Sequence, residues 1–315
     1  MGATAGAVTA APRRKSRVAR LLPPTFTRSP VALLGLAIIA AWLVVGAAAP
    51  RLAPSLPLAQ DIAARLSPPS PAHWLGTDQL GRDILSRVCY GARLSIPVGI
   101  AAVALAMLLG VIIGSTAGFL GGMVDETIMR VTDLMLAFPT VILAMVITAA
   151  LGAGIRNAVI AIMVAWWPSY ARYVRGLVLA LREREYVQAA HALGASPIRV
   201  LGRHLLPGTI SPILILSTLD VGRAILTFAS LSFLGLGPPP EVPEWGSMVA
   251  AGRNYLDQWW ISTIPGLAIL SFVLPINVVG DRLRDFLDPR FRNRSRVPAP
   301  DEATRDGIGG PLGRR

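Results

Sequence analysis

Residues 94–124 read LSIPVGIAAVALAMLLGVIIGSTAGFLGGMV, 31 consecutive positions without a charged side chain. A helix rises about 1.5 Å per residue, so about 20 such residues cross the ~30 Å hydrocarbon layer of a bilayer. The stretch exceeds what one crossing requires. The whole chain has the same character: of 315 residues 53% are hydrophobic and 15% charged, with a mean hydropathy of +0.56. Soluble domains carry about a quarter charged residues, so a chain this apolar needs lipid around it. Aromatics make up only 6%, leaving Ala, Val, Leu and Ile to supply the apolarity. The fold class that follows is an all-α integral membrane protein.

Outward from this run, further apolar stretches lie at 31–49, between Asp133 and Arg156, at 157–171, at about 209–235 and between Asp257 and Asp281. The stretch at 157–171 is short and requires Arg172 as a snorkelling end. The one at 209–235 carries Asp220 and Arg223. Six spans are expected, which puts both termini on one side. Cytoplasmic segments concentrate Lys and Arg. Placing both termini in the cytoplasm leaves 22 basic residues inside and seven outside. Residues 1–30 and 293–315 are then cytoplasmic basic tails, and about 50–90 and 236–258 are outer loops. Both tails lack an apolar period and read as mobile. No cleavable signal peptide is apparent, because the first apolar run continues as a full span. The net charge of +12 is explained by this inner-side bias, so no nucleic-acid partner is inferred. The single cysteine, Cys89, excludes an internal disulfide.

Residues 181–207 form the most informative inner segment. Glu185 to Leu193 is a run of mostly good helix formers, followed by Gly194 where a left-handed cap is wanted. Ser196 and Pro197 supply a side-chain cap and a first-turn proline. A second helix, 197 to about 205, should end before Pro207, which cannot continue the hydrogen-bond ladder. Ala189, Ala190 and Gly194 remove bulk from one side, so another protein's backbone can come close. An ordinary amphipathic loop is the competing reading of the same residues.

This segment resembles the Glu-Ala-Ala signature loop of ATP-binding-cassette (ABC) importer permeases. Gln188-Ala189-Ala190, Gly194, His204 and Leu206-Pro207 fall at the signature positions, with Gln188 replacing the acidic residue and His204 the aliphatic one. His73-Trp74-Leu75-Gly76-Thr77-Asp78-Gln79-Leu80-Gly81-Arg82-Asp83 is similar to a segment of dipeptide, oligopeptide and nickel permeases. So are 133–139, Ser232 to Gly237, Glu244-Trp245-Gly246 and 280–289. The resemblance implies a type I importer permease, the second of two per transporter, with a six-span permease domain at 31–292. It implies a cytoplasmic coupling helix that docks on a separate ATPase through Gln188, Ala189, Ala190, Gly194, Leu206 and Pro207. The implied partners are a second permease, one or two ABC ATPases that hold ATP and Mg, and an extracytoplasmic solute-binding protein. The implied place is a bacterial or archaeal inner membrane, and the implied cargo is di- or oligopeptide, with nickel or other small ligands as the less favoured cargo. A stand-alone ion-coupled carrier is the alternative. Such folds carry inverted repeats and broken helices in matching halves, and the sequence displays neither clearly.

No cofactor or metal is expected on the chain itself. Lys15 is its only lysine, so a phosphate-cradling G-x-x-x-x-G-K-[ST] loop is excluded and the chain is not expected to be an enzyme. His73, His191 and His204 fall on opposite sides of the membrane, which excludes a three-histidine metal site. Asp78 can cap a turn while Arg82 pairs with Asp83, or Asp78 can meet the binding protein. Trp245, in a proline-flanked loop, is a second candidate for that contact, and Trp259-Trp260 reads as an interfacial aromatic belt. Asp220 and Arg223, at i and i+3, either neutralise each other in the bundle or line the translocation pathway.

Overall fold

Ser29 accepts a hydrogen bond from the Ala32 N–H and Pro30 opens the first helix, the preferred chemistry for a helix start. The computed structural model describes residues 29–287; the first basic tail, apart from Ser29 and Pro30, and the whole of the second lie outside them. The long helices are α1 (Pro30–Leu52), α2 (Ile84–Leu120), α5 (Ile155–Arg182), α8 (Leu206–Phe233) and α10 (Trp260–Leu287). Between them lie α3 (Gly122–Leu136), α4 (Thr140–Leu151), α6 (Glu185–Ala192), α7 (Pro197–Val200) and α9 (Trp245–Gly252). Among the described residues the only strand-like pairing is the isolated bridge Thr77 to Asp83.

Length and composition mark four membrane-spanning candidates: α1, α2, the continuous run Pro197–Phe233, and Trp260–Asp285. A fifth is the pair α3 and α4, bent by 90°. The expected span at 133–156 is therefore broken. Pro139 caps α4 at the bend, where it has no N–H to continue the ladder. With 12 residues, α4 alone is about 18 Å long, short of the hydrocarbon thickness. The expected span at 157–171 lies inside α5, a 28-residue helix that is not among these candidates and carries Arg156, Arg172, Arg175 and Arg182.

The helices α2 and α5 approach closely along a glycine row. Gly110, Gly114 and Gly118 recur every four residues and so share one face. A Cβ at Gly114 would collide with the Ala171 carbonyl oxygen and lie 2.8 Å from the Ala171 Cα. Small residues at this spacing let helix backbones pack in lipid, where hydrophobicity alone does not drive association. Outside the row, apolar clusters fill the bundle, with Ile84, Ile225, Trp245 and Phe272 towards one end and Val174, Val187, Leu205 and Ile213 towards the other.

Candidate functional site

Three places in the bundle hold the polar residues that the sequence singles out. At the first, the segment before α2 folds back on the link between α8 and α9. Asp78 accepts from the Leu80 and Arg82 backbone N–H groups at 2.9 and 3.0 Å and from Arg82 Nε at 2.6 Å. Arg82 Nη1 and Arg87 Nη2 both donate to the Pro240 carbonyl, at 3.2 and 3.1 Å. Arg82 thus pairs with Asp78 and not with Asp83. Asp83 instead caps α2, accepting from the Ser86 N–H at 2.8 Å, and meets His73 Nδ1 at 3.2 Å. The spacing explains the swap. At i+4 the Arg82 fork reaches back across the turn that Asp78 caps, while Asp83 is committed to a helix start.

Asp78 and Trp245 are both buried. Trp245 donates from Nε1 to the Val88 carbonyl at 3.0 Å and packs edge-on against Trp42 with ring centroids 5.0 Å apart. In this arrangement neither side chain offers surface to another protein. Trp260 is likewise enclosed, donating to the Thr77 carbonyl at 3.2 Å, and only Trp259 keeps the exposure expected of a belt residue. Other exposed apolar side chains of this end include Trp74, Leu56, Ile62 and Leu256.

Glu244 caps α9, with Oε1 accepting from the Gly246 N–H at 2.8 Å and Oε2 from the Ser247 N–H at 2.7 Å. Burial pushes its carboxyl above the ordinary glutamate range, while those N–H groups and nearby serines pull it back. A raised folded-state value means that the protonated form is favoured by folding. Its contribution to stability is present at low pH and fades as pH rises through the raised value. We expect the melting temperature of the purified protein to fall as pH rises above about 4.3, the ordinary glutamate value. Glu244→Gln should flatten that fall; an unchanged slope would remove Glu244 as its source.

The second place lies midway along α8. Asp220 accepts from the Tyr170 hydroxyl at 2.8 Å and from Arg223 Nη1 at 3.4 Å. The two ions are unequally enclosed: the Asp220 side chain is 11% exposed and that of Arg223 73%. The short bond to Asp220 is therefore Tyr170's, and the expected mutual pair is a long contact with the base at the rim. Both ions line a cavity of about 240 Å³ with Thr140, Trp166 and Ser169.

The third place is the segment joining α5 to α8. Helix α6 ends in a turn in which the Gly194 N–H bonds the His191 carbonyl at 2.9 Å and the Ala195 N–H bonds the Ala190 carbonyl at 3.0 Å. This bond pair needs a left-handed residue, and Gly194 supplies φ +77°. Val187 is buried against α5, while Gln188 and Ala189 are exposed and Ala190 is half-buried. The Gln188 amide donates to the Glu183 carbonyl at 3.4 Å. The Ser196 hydroxyl makes no cap bond, so Pro197 starts α7 without it. Pro207 does not end the second helix. A π turn at Leu201–Leu205 joins α7 to α8, and Leu206 and Pro207 form the first turn of α8. Pro207 thus stands in the first turn of α8, where its missing N–H breaks no bond within that helix.

Residues 92–293 match the family described as binding-protein-dependent transport system inner membrane component. The chain belongs to this family. It is 45% identical over 263 residues to the probable D,D-dipeptide transport system permease protein DdpC of Escherichia coli K12, covering 83% of this chain and 88% of the relative. It is 42% identical over 267 residues to the dipeptide transport system permease protein DppC of Alkalihalophilus pseudofirmus, covering 84% and 88%. The nickel transport system permease protein NikC of Escherichia coli K12 is 43% identical over 263 residues, covering 82% and 94%. As a member of the binding-protein-dependent inner membrane component family, the chain is a multi-pass permease of a transport system.

Sequence reading missed the glycine row facing α5 and the Tyr170 bond to Asp220. The first was visible as three glycines four apart. The second joins residues 50 positions apart, for which a single sequence holds no signal.

Proposed function

We propose that this chain is one of two permease subunits of an ATP-driven importer of di- and oligopeptides. It would form part of the pathway and be coupled through 181–207 to a separate ATPase. The observation that carries the coupling is the exposed apolar turn after α6. Leu193 and Ile198, on either side of Gly194, are 88% and 83% exposed. Apolar side chains held out by a rigid turn at a helix end suit a groove on another protein. The peptide cargo is supported by relatives named for dipeptides at more than 40% identity, beside the nickel permease at 43%.

Six crossings are supported by which ends meet. Arg182, at the end of α5, bonds the Gly118 carbonyl at the end of α2, and the Gly154 N–H before α5 bonds Leu236 after α8. The bent pair α3–α4 joins the first end to the second, as a sixth crossing would. The basic bias then places the end that carries α6 in the cytoplasm, and with it both termini. An extracytoplasmic binding protein would meet the opposite end, where Trp74 and Leu56 are exposed. A single bent pair occurs among the described residues, without the matching break that an inverted-repeat carrier uses.

The test is uptake in liposomes containing the complete transporter. Uptake should require internal ATP and persist when the ion gradient is collapsed at constant ATP. Uptake that follows the gradient and ignores ATP would overturn this reading.

A further inference from the structure

Asp220 lies 14 residues in from Leu206 and 13 from Phe233, so it sits at the middle of its helix. Arg223 follows about one turn later with its guanidinium largely exposed. Lipid solvates a mid-span guanidinium poorly, and such groups face a wet cavity or other protein. This side of α8 therefore cannot be a lipid face.

The lining of the cavity beside it is rich in donors. Arg223 has five N–H groups, of which one, Nη1, is engaged, and that only at 3.4 Å to Asp220. The indole N–H of Trp166, buried in the cavity wall, has no acceptor among the described residues. The hydroxyls of Ser169 and Thr140 line the same space. Asp220, the only acid in the lining, is drawn away from the rim by Tyr170. A solute entering the cavity thus meets the guanidinium before the carboxylate. At about 240 Å³ the space suits one end of a dipeptide, being below the usual range of about 300–1,000 Å³ for a whole small ligand.

We propose that Arg223 is a transit subsite for the free carboxylate of the transported peptide, with Asp220 and Tyr170 as positioning residues that hold the guanidinium at the rim. A planar carboxylate matches the Arg fork with two parallel hydrogen bonds. The Trp166 N–H and the Ser169 hydroxyl are the further donors at hand. This rests on the importer reading, and it adds a chemical preference inside the permease, separate from any preference of the binding protein.

The experiment compares a dipeptide with its C-terminal amide, each at a concentration that saturates the binding protein, in liposomes carrying the complete transporter. Maximal uptake and ATP hydrolysis are measured for wild type, Arg223→Gln and Arg223→Lys. Arg223→Gln should lower maximal uptake of the free acid about tenfold, the scale of a lost charge-assisted contact, and that of the amide by less than about twofold. Subunit assembly should stay at the wild-type level, and Arg223→Lys should retain most acid uptake. Three results would each overturn the proposal: unchanged acid uptake, equal loss of acid and amide, or a variant that no longer assembles with the second permease. The last would make Arg223 a subunit contact. Uptake without ATP would strike the importer reading alone, since the ratio of acid to amide still decides the subsite.

Discussion

Gly114→Ala should sharply reduce the amount of folded protein in the membrane, although it adds a single methyl group. That methyl would overlap the Ala171 carbonyl oxygen and sit 2.8 Å from its Cα. Both obstacles are backbone, so no side-chain rotation relieves them and α2 must move away from α5. Overpacking in a rigid interior costs about 1–3 kcal/mol or more, against a total stability of only about 5–15 kcal/mol. Gly176→Ala in α5 is the control, because nothing lies within 4 Å of the added atom and alanine is the better helix former by about 1 kcal/mol. Size-exclusion profiles of detergent-solubilised protein would read the result. We expect at least a severalfold loss of the monodisperse peak for Gly114→Ala and none for Gly176→Ala. A normal peak for Gly114→Ala would show that the helices can separate at no cost.

Gly194→Val should act at the other extreme, leaving the fold and removing the coupling. The position needs φ +77°, which costs a residue with a Cβ about 1–2 kcal/mol and a β-branched residue somewhat more. Nothing within 4 Å would clash, so the chain should accumulate normally. The turn itself would shift, and Leu193 and Ile198 would move with it. If the ATPase docks there, uptake and binding-protein-stimulated ATP hydrolysis should fall at least about tenfold, the scale of a lost apolar anchor. Wild-type uptake by the variant would exclude a docked turn at Gly194.

Four of the spans and the turn at Gly194 were legible because their causes are local. Apolar length at 94–124, the cap at Gly194 and the first-turn proline at Pro197 each act within a few residues. Local signals failed where two obligations competed for one residue. Asp83 could pair with Arg82 or start α2, and the helix start prevailed. Pro207 read as a stop, yet the π turn at Leu201–Leu205 carries the helix through. Trp245 read as an exposed loop residue because prolines flank it. The segment instead re-enters the bundle, where Gly91 leaves room for the indole.

By itself the sequence determined an all-helical membrane protein and the turn at Gly194, since each follows from composition or from neighbours along the chain. Tertiary structure alone decided which charges are enclosed. Asp220 is held by Tyr170 and leaves Arg223 at the rim, while Asp78 is sealed beneath Pro240 by two arginines. The cost of burying a charge depends on partners brought from distant segments, and those partners are assigned only when the helices pack.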